Sequence, residues 1–173
     1  MTSKVASPIR VVLIDDADDL RLLVRMALER EPEFTIVAEA PDGESGVAAV
    51  AAHKPHLVLL DIAMPVMDGL QALTLIREEC PGSIVVMLSA FTGSSGAIER
   101  AMSLGAHGYI EKGGGVPEMI ADLRRVLARE FGVPVRREDG SGEQQLSGDQ
   151  QQTTGHDHRP GTEAVDQQSG RNL

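Results

Sequence analysis

Residues 11–20, VVLIDDADDL, run four apolar side chains straight into carboxylates at positions 15, 16, 18 and 19. Val11, Val12, Leu13 and Ile14 form a continuous apolar run, the pattern of a strand covered on both faces. The acids cannot follow it inward, because like charges packed this closely repel and raise one another's pKa unless a cation or solvent screens them. The strand therefore has to stop at an edge of the core, with Asp15 and Asp16 at its carboxyl tip.

The same arrangement recurs along residues 8–133. Leu57–Leu60 ends at Asp61, Ile84–Leu88 ends at Ser89, and the short run Gly108–Ile110 leads to Lys112; Phe34–Ala38 supplies a further strand. Between them the spacing changes to that of helices. Leu20, Leu23, Val24, Ala27 and Leu28 follow possible caps at Asp18 or Asp19, and a small-residue helix opens at Asp42. Further helices are expected over about 69–79, 94–104 and 116–130, the last with Pro117 in its first turn. A fivefold strand–helix alternation predicts an α/β fold, a doubly wound (βα)5 sandwich around a parallel five-stranded sheet. In such sheets ligands bind outside the carboxyl ends of the strands.

Composition bounds the rest. The chain has 173 residues and a formal net charge of −10, which repels phosphate backbones and anionic lipid, so direct DNA or membrane binding is not expected. One cysteine, Cys80, excludes an intramolecular disulfide and suits a reducing cytoplasm. The first residues carry no apolar signal region, and no apolar run approaches the ~20 residues that span a bilayer. Residues 1–7 read as a short arm and 8–133 as the folded domain. Residues 134–173 are polar, with seven Gln and six Gly from 138 onward, and are expected to be disordered.

Taken singly, an Asp after a strand is a helix cap and a Lys there a solvated charge. Together, Asp15, Asp16, Asp61, Ser89 and Lys112 fit one task, phosphoryl transfer to a carboxylate. Asp61 would be the nucleophile. A Mg2+ held by one or two carboxylates would neutralise the incoming charge, with a lysine ammonium and a hydroxyl on the phosphoryl oxygens.

VVLIDDADD at 11–19, LVLLDIAMPVMDGL at 57–70, VVMLSA at 85–90 and GYIEK at 108–112 resemble, in order and spacing, the motifs of bacterial response-regulator receiver domains. The resemblance covers about residues 8–131. It implies strand order 2-1-3-4-5 and phosphorylation by a sensor histidine kinase or phosphotransfer protein. Carried over position by position, it makes Asp61 the phosphoacceptor, with Asp16 and Asp61 as direct Mg2+ ligands. Asp15 would act mainly through water, and the backbone carbonyl of Ala63 would complete the set. Ser89 becomes the switch hydroxyl, Lys112 the phosphate-facing lysine and Tyr109 the switch aromatic.

Two departures stand out. Lys112 is followed by Gly113 rather than the usual Pro, which implies a more pliable loop. Ala63 and Phe91 occupy the positions from which the family positions a hydrolytic water, and neither carries a polar side chain. The resemblance implies no enzyme beyond self-phosphorylation and slow self-dephosphorylation. Its output would be protein–protein contact with a downstream protein, as a stand-alone receiver. A truncated transcriptional regulator and a phosphorylation-independent scaffold stay open. A haloacid-dehalogenase-type phosphohydrolase would want a second Asp where Ala63 stands.

Overall fold

The structure, a computed structural model, describes residues 7–90 and 95–132. Strands β1 (Ile9–Ile14), β2 (Phe34–Ala40), β3 (Leu57–Asp61), β4 (Ile84–Ser89) and β5 (Gly108–Glu111) alternate with helices α1 (Asp18–Glu29), α2 (Gly43–His53), α3 (Gly69–Glu79), α4 (Ser95–Ser103) and α5 (Val116–Phe131). The strands pair in parallel in the order β2-β1-β3-β4-β5, as expected. The expected tail, 134–173, lies outside the described residues, as does Phe91.

Both faces of the sheet are buried, which explains the continuous apolar runs. Val11, Leu13, Leu57, Leu59, Val86 and Leu88 pack on one face against Val24 and Leu28 of α1 and Leu123 and Leu127 of α5. Val12, Ile14, Val58, Leu60 and Met87 pack on the other against Val50, Leu73, Ile76 and Ala101. The central strands β1, β3 and β4 thus commit alternate side chains to two separate cores. A one-residue slip would exchange the faces of a whole strand, so the register that sets the strand ends is firmly held. Among the described residues no helix is long and apolar enough to cross a membrane.

At α2 and α3 the helix starts follow local capping chemistry. Asp42 caps α2 by accepting from the Ser45 N–H at 2.8 Å. Asp68 and Gln71 form a reciprocal capping box at α3. At α1, however, the cap position is Ala17, without a side-chain hydrogen bond, and Asp18 and Asp19 lie inside the first turn. The expected cap at Asp18 or Asp19 is therefore corrected. Their charges still favour the helix by facing the positive end of its dipole.

Two histidines just before strands tie those strands to their neighbours. His56 precedes β3, and its Nδ1 accepts the Arg10 N–H of β1 at 3.1 Å, while its own N–H donates to the Arg10 carbonyl. His107 repeats the device before β5. Its Nδ1 accepts the Val85 N–H at 3.0 Å and its N–H donates to the Val85 carbonyl at 2.8 Å. Each ring continues a strand ladder by one residue beyond the strand's own start.

One glycine is dictated by a close approach. A Cβ on Gly69 would lie 2.0 Å from the Asp61 carbonyl oxygen and 2.8 Å from Ile62 Cα, both rigid backbone. The Gly69 N–H also donates to the Ile62 carbonyl at 2.9 Å, drawing the start of α3 onto the end of β3.

Gly69→Ala is expected to lose on the order of 1–3 kcal/mol, the range for overpacking a tight site, read as a lower urea midpoint. A midpoint equal to that of the wild type would show that the contact relaxes freely. A second expectation concerns pH. Burial, then the nearby Arg77 charge, pushes the His107 pKa below its ordinary 6.5. The unfolded chain then binds more protons than the folded one, so stability is full above that value and falls as pH drops through and below it. His107→Gln should flatten this part of the stability–pH profile between about pH 7.5 and 5; an unchanged slope in urea titrations would remove the assignment.

Candidate functional site

Strand register brings three strand ends to one rim. Asp15 follows β1, and its N–H donates to the Ala40 carbonyl of β2 at 3.1 Å, which fixes the backbone where the strand leaves the sheet. Its side chain is fully buried, and Oδ1 accepts the Ala17 N–H at 2.9 Å. Asp61 is the last residue of β3, aligned with Leu88 of β4, and is 3% exposed. Its Oδ1 accepts the Ala63 N–H at 3.2 Å. Lys112 follows β5, and its N–H donates to the Ser89 carbonyl at 2.8 Å.

The Lys112 ammonium closes the site. Nζ stands 2.7 Å from Asp15 Oδ2 and 2.8 Å from Asp61 Oδ2. The triple glycine at 113–115 does not prevent this placement, because two carboxylates hold the ammonium at once. Burial is the largest influence on Asp61 and pushes its pKa above the ordinary 3.8; the hydrogen bond and charge of Lys112 pull the other way without cancelling it, and the Asp15 charge adds to the rise. Asp61 is thus paired with Lys112 and yet more basic than an exposed carboxylate.

Asp15, Asp16 and Asp61 each offer an oxygen within 4.8 Å of the others. Opposite ligands of an octahedral Mg2+ at ~2.1 Å stand roughly 4.2 Å apart, so a small contraction would let one such ion take all three. Two features fit that ion. The donors are all hard oxygens, and buried Asp15 Oδ2 receives no aligned hydrogen bond, only the ion pair with Lys112. Asp16 is exposed and so reachable from solvent.

The remaining expected residues are placed as follows. Ser89 ends β4 and is 4% exposed. Ala63 is exposed on the loop after Asp61, and Tyr109 on β5 is 45% exposed, turned outward rather than packed. One contributor escaped the sequence reading. Arg21 donates from Nη1 to the Asp15 carbonyl at 2.7 Å and from Nη2 to Asp18 Oδ1 at 2.5 Å. It clamps the acidic loop from below. The three-residue spacing from Asp18 signals the ion pair, but nothing in the sequence signals the bond to the Asp15 backbone.

Comparison with known proteins agrees with this geometry. The family profile described as "Response regulator receiver domain" matches residues 11–124. A protein-glutamate methylesterase/protein-glutamine glutaminase of Nitratidesulfovibrio vulgaris is 40% identical over 104 residues, covering 60% of this chain and 28% of the relative. The chain spans about a quarter to a third of the length of the curated relatives it matches. Among solved structures, the response regulator domain of Thermotoga maritima CheB superposes with a TM-score of 0.63 at 29% identity, over 69% of this chain and 96% of that one. A chain of the CheX–CheY–BeF3–Mg2+ complex of Borrelia burgdorferi gives 0.63 at 28% identity, over 72% and 90%. With its strand order, its acidic rim and the profile matched over most of the folded residues, this chain belongs to the response regulator receiver domains of two-component signalling.

Proposed function

We propose that Asp61 accepts a phosphoryl group from a histidine kinase or phosphotransfer protein, and that the phosphorylated chain signals by contact with another protein in the cytoplasm. The observation that carries the reading is the buried Asp61 carboxylate with Asp15 beside it and the Lys112 ammonium 2.8 Å from its Oδ2. Burial makes this carboxylate more basic than one exposed to water, which favours it as a nucleophile. In the transfer, an Asp61 oxygen bonds phosphorus as the donor's P–N bond breaks and its electron pair returns to the imidazole.

Asp15, Asp16, Asp61 and the Ala63 carbonyl would hold Mg2+, which supplies charge neutralisation to the phosphoryl oxygens. Lys112 would offer a second positive charge on the same edge, and Ser89, at the neighbouring strand end, would hydrogen-bond a phosphoryl oxygen. That bond, and the movement it draws from the end of β4 to Tyr109 on β5, is the proposed switch. The donor has a landing surface. Leu22, Leu23 and Met26 of α1 are each close to half exposed, and Leu23 lines a small cleft together with Lys112. Apolar area of this kind beside a charged rim marks a contact site.

The first test is labelling. Acetyl phosphate with Mg2+ should phosphorylate one acid-labile site, and Asp61→Asn should abolish it; incorporation at the wild-type level in that variant would remove the assignment. The same variant has a second expected effect. Because the folded chain favours the protonated acid, stability present below about pH 4 is lost as pH rises through the raised pKa, and ionised Asp61 is a net burden at neutral pH. Asp61→Asn should therefore unfold at a urea concentration equal to or above that of the wild type at pH 7.

The lifetime of the phosphoryl group is a further expectation. With only a methyl at Ala63, no side chain there aligns a hydrolytic water, and a positioned polar group contributes on the order of 10²-fold to such a step. Ala63→Asn should speed phosphate release several-fold in a time course. Release from the wild type within seconds, or no acceleration in the variant, would count against the role.

A further inference from the structure

Val66 is the residue of the site loop that the fold itself does not explain. It has φ +68° and is 97% exposed. A β-branched residue at positive φ is a genuine outlier. Among the described residues the other non-glycine with positive φ is Lys54, which ends α2 as its left-handed cap. Around Val66 the Met67 N–H donates to the Pro65 carbonyl at 2.8 Å, two residues back. With the positive φ, this is the rare and strained form of γ-turn.

The turn is forced by its surroundings. On one side Met64 is buried at 8% exposure. On the other, Met67 lies so close to Gly43 at the start of α2 that a Cβ there would come within 2.8 Å of its Cγ. The Gly69 N–H to the Ile62 carbonyl closes the loop. The backbone therefore must turn at 66, and Gly or Asn would take that conformation with less strain. The valine side chain gives this chain almost nothing in return, since it projects into solvent. Strain kept at such a position points to a use for the side chain outside the chain.

We infer that Val66 is a contact residue for the protein that donates the phosphoryl group, seated against an apolar side chain next to the donor's phosphohistidine. The inference rests on the reading of Asp61 as phosphoacceptor. Asp61 is almost wholly buried, so a protein donor has to press its imidazole into the rim, and its surface then covers the loop that leaves Asp61. The exposed Leu22, Leu23 and Met26 on α1 extend the same apolar character to another element of the domain. A small donor such as acetyl phosphate covers neither.

The experiment compares the two kinds of donor on wild type, Val66→Gly, Val66→Asn and Val66→Ile. The protein donor is the histidine kinase that, autophosphorylated with ATP, transfers fastest to the wild type among the host's purified kinases. At sub-saturating kinase the Gly and Asn variants should be slowed about tenfold, in line with losing one well-buried valine from an interface, while Ile stays near wild type. All four should be labelled by acetyl phosphate at rates within about twofold of one another. Unchanged transfer from the kinase overturns the inference and leaves the phosphoacceptor reading intact. Equal slowing with both donors overturns it as well, because Val66 would then act on the geometry of Asp61. If neither donor labels the wild type, the phosphoacceptor reading falls first and the inference with it.

Discussion

Two buried carboxylates facing one ammonium are the constraint around which this domain is arranged. At about 4 Å and an effective dielectric near 20, unit charges interact by about 4 kcal/mol, so the Asp15–Asp61 repulsion is comparable in size to each attraction to Lys112. Two attractions outweigh one repulsion, which keeps Lys112 Nζ between the acids. They do not outweigh burial at Asp61, whose pKa stays raised. The site is thus held together by Lys112 while burial keeps Asp61 more basic than an exposed carboxylate. A cation or a phosphoryl group changes that balance more than any neutral ligand would.

Everything around the triad serves to keep it in place. β1 and β3, which deliver Asp15 and Asp61, are buried on both faces, so their ends cannot slide without moving two cores, and β5, which delivers Lys112, packs on one face through Ile110. His56 and His107 extend the sheet at its opposite edge, where β3 and β5 begin. Arg21 holds the Asp15 backbone from the helix side. Gly69 brings α3 against the Asp61 carbonyl with no room for another atom. The loop between Asp61 and Gly69 is consequently taut, and its apex at Val66 is pushed outward into a conformation that valine disfavours. Rigidity at the carboxylate and strain at the loop are two consequences of one close approach.

Much of this was legible in the chain because the relevant physics is local or periodic. Apolar runs that end in Asp15, Asp61 and Ser89 mark strand tips, since a buried polar side chain needs partners that a strand packed between helices does not supply. Asp42 and Asp68 mark helix starts because a cap bonds a backbone N–H three residues on. The same logic misplaced the start of α1. Asp18 and Asp19 have the chemistry of caps, but the chain turns one residue earlier, at Ala17, where Asp15 Oδ1 already accepts the Ala17 N–H.

By itself, then, the sequence determined the α/β class, the five strands and the set of acids and one lysine that share a rim, because burial on both faces and period-two packing leave little choice for such runs. The tertiary structure alone decided which groups satisfy one another. That Lys112 takes Asp15 as well as Asp61, that Arg21 bonds a carbonyl rather than only Asp18, and that His107 completes a strand ladder are facts of proximity between segments far apart in the chain. Val66 belongs with them. Nothing in PVM at 65–67 announces a positive φ; it arises because Met64, Met67 and Gly69 are each fixed by packing with other parts of the fold.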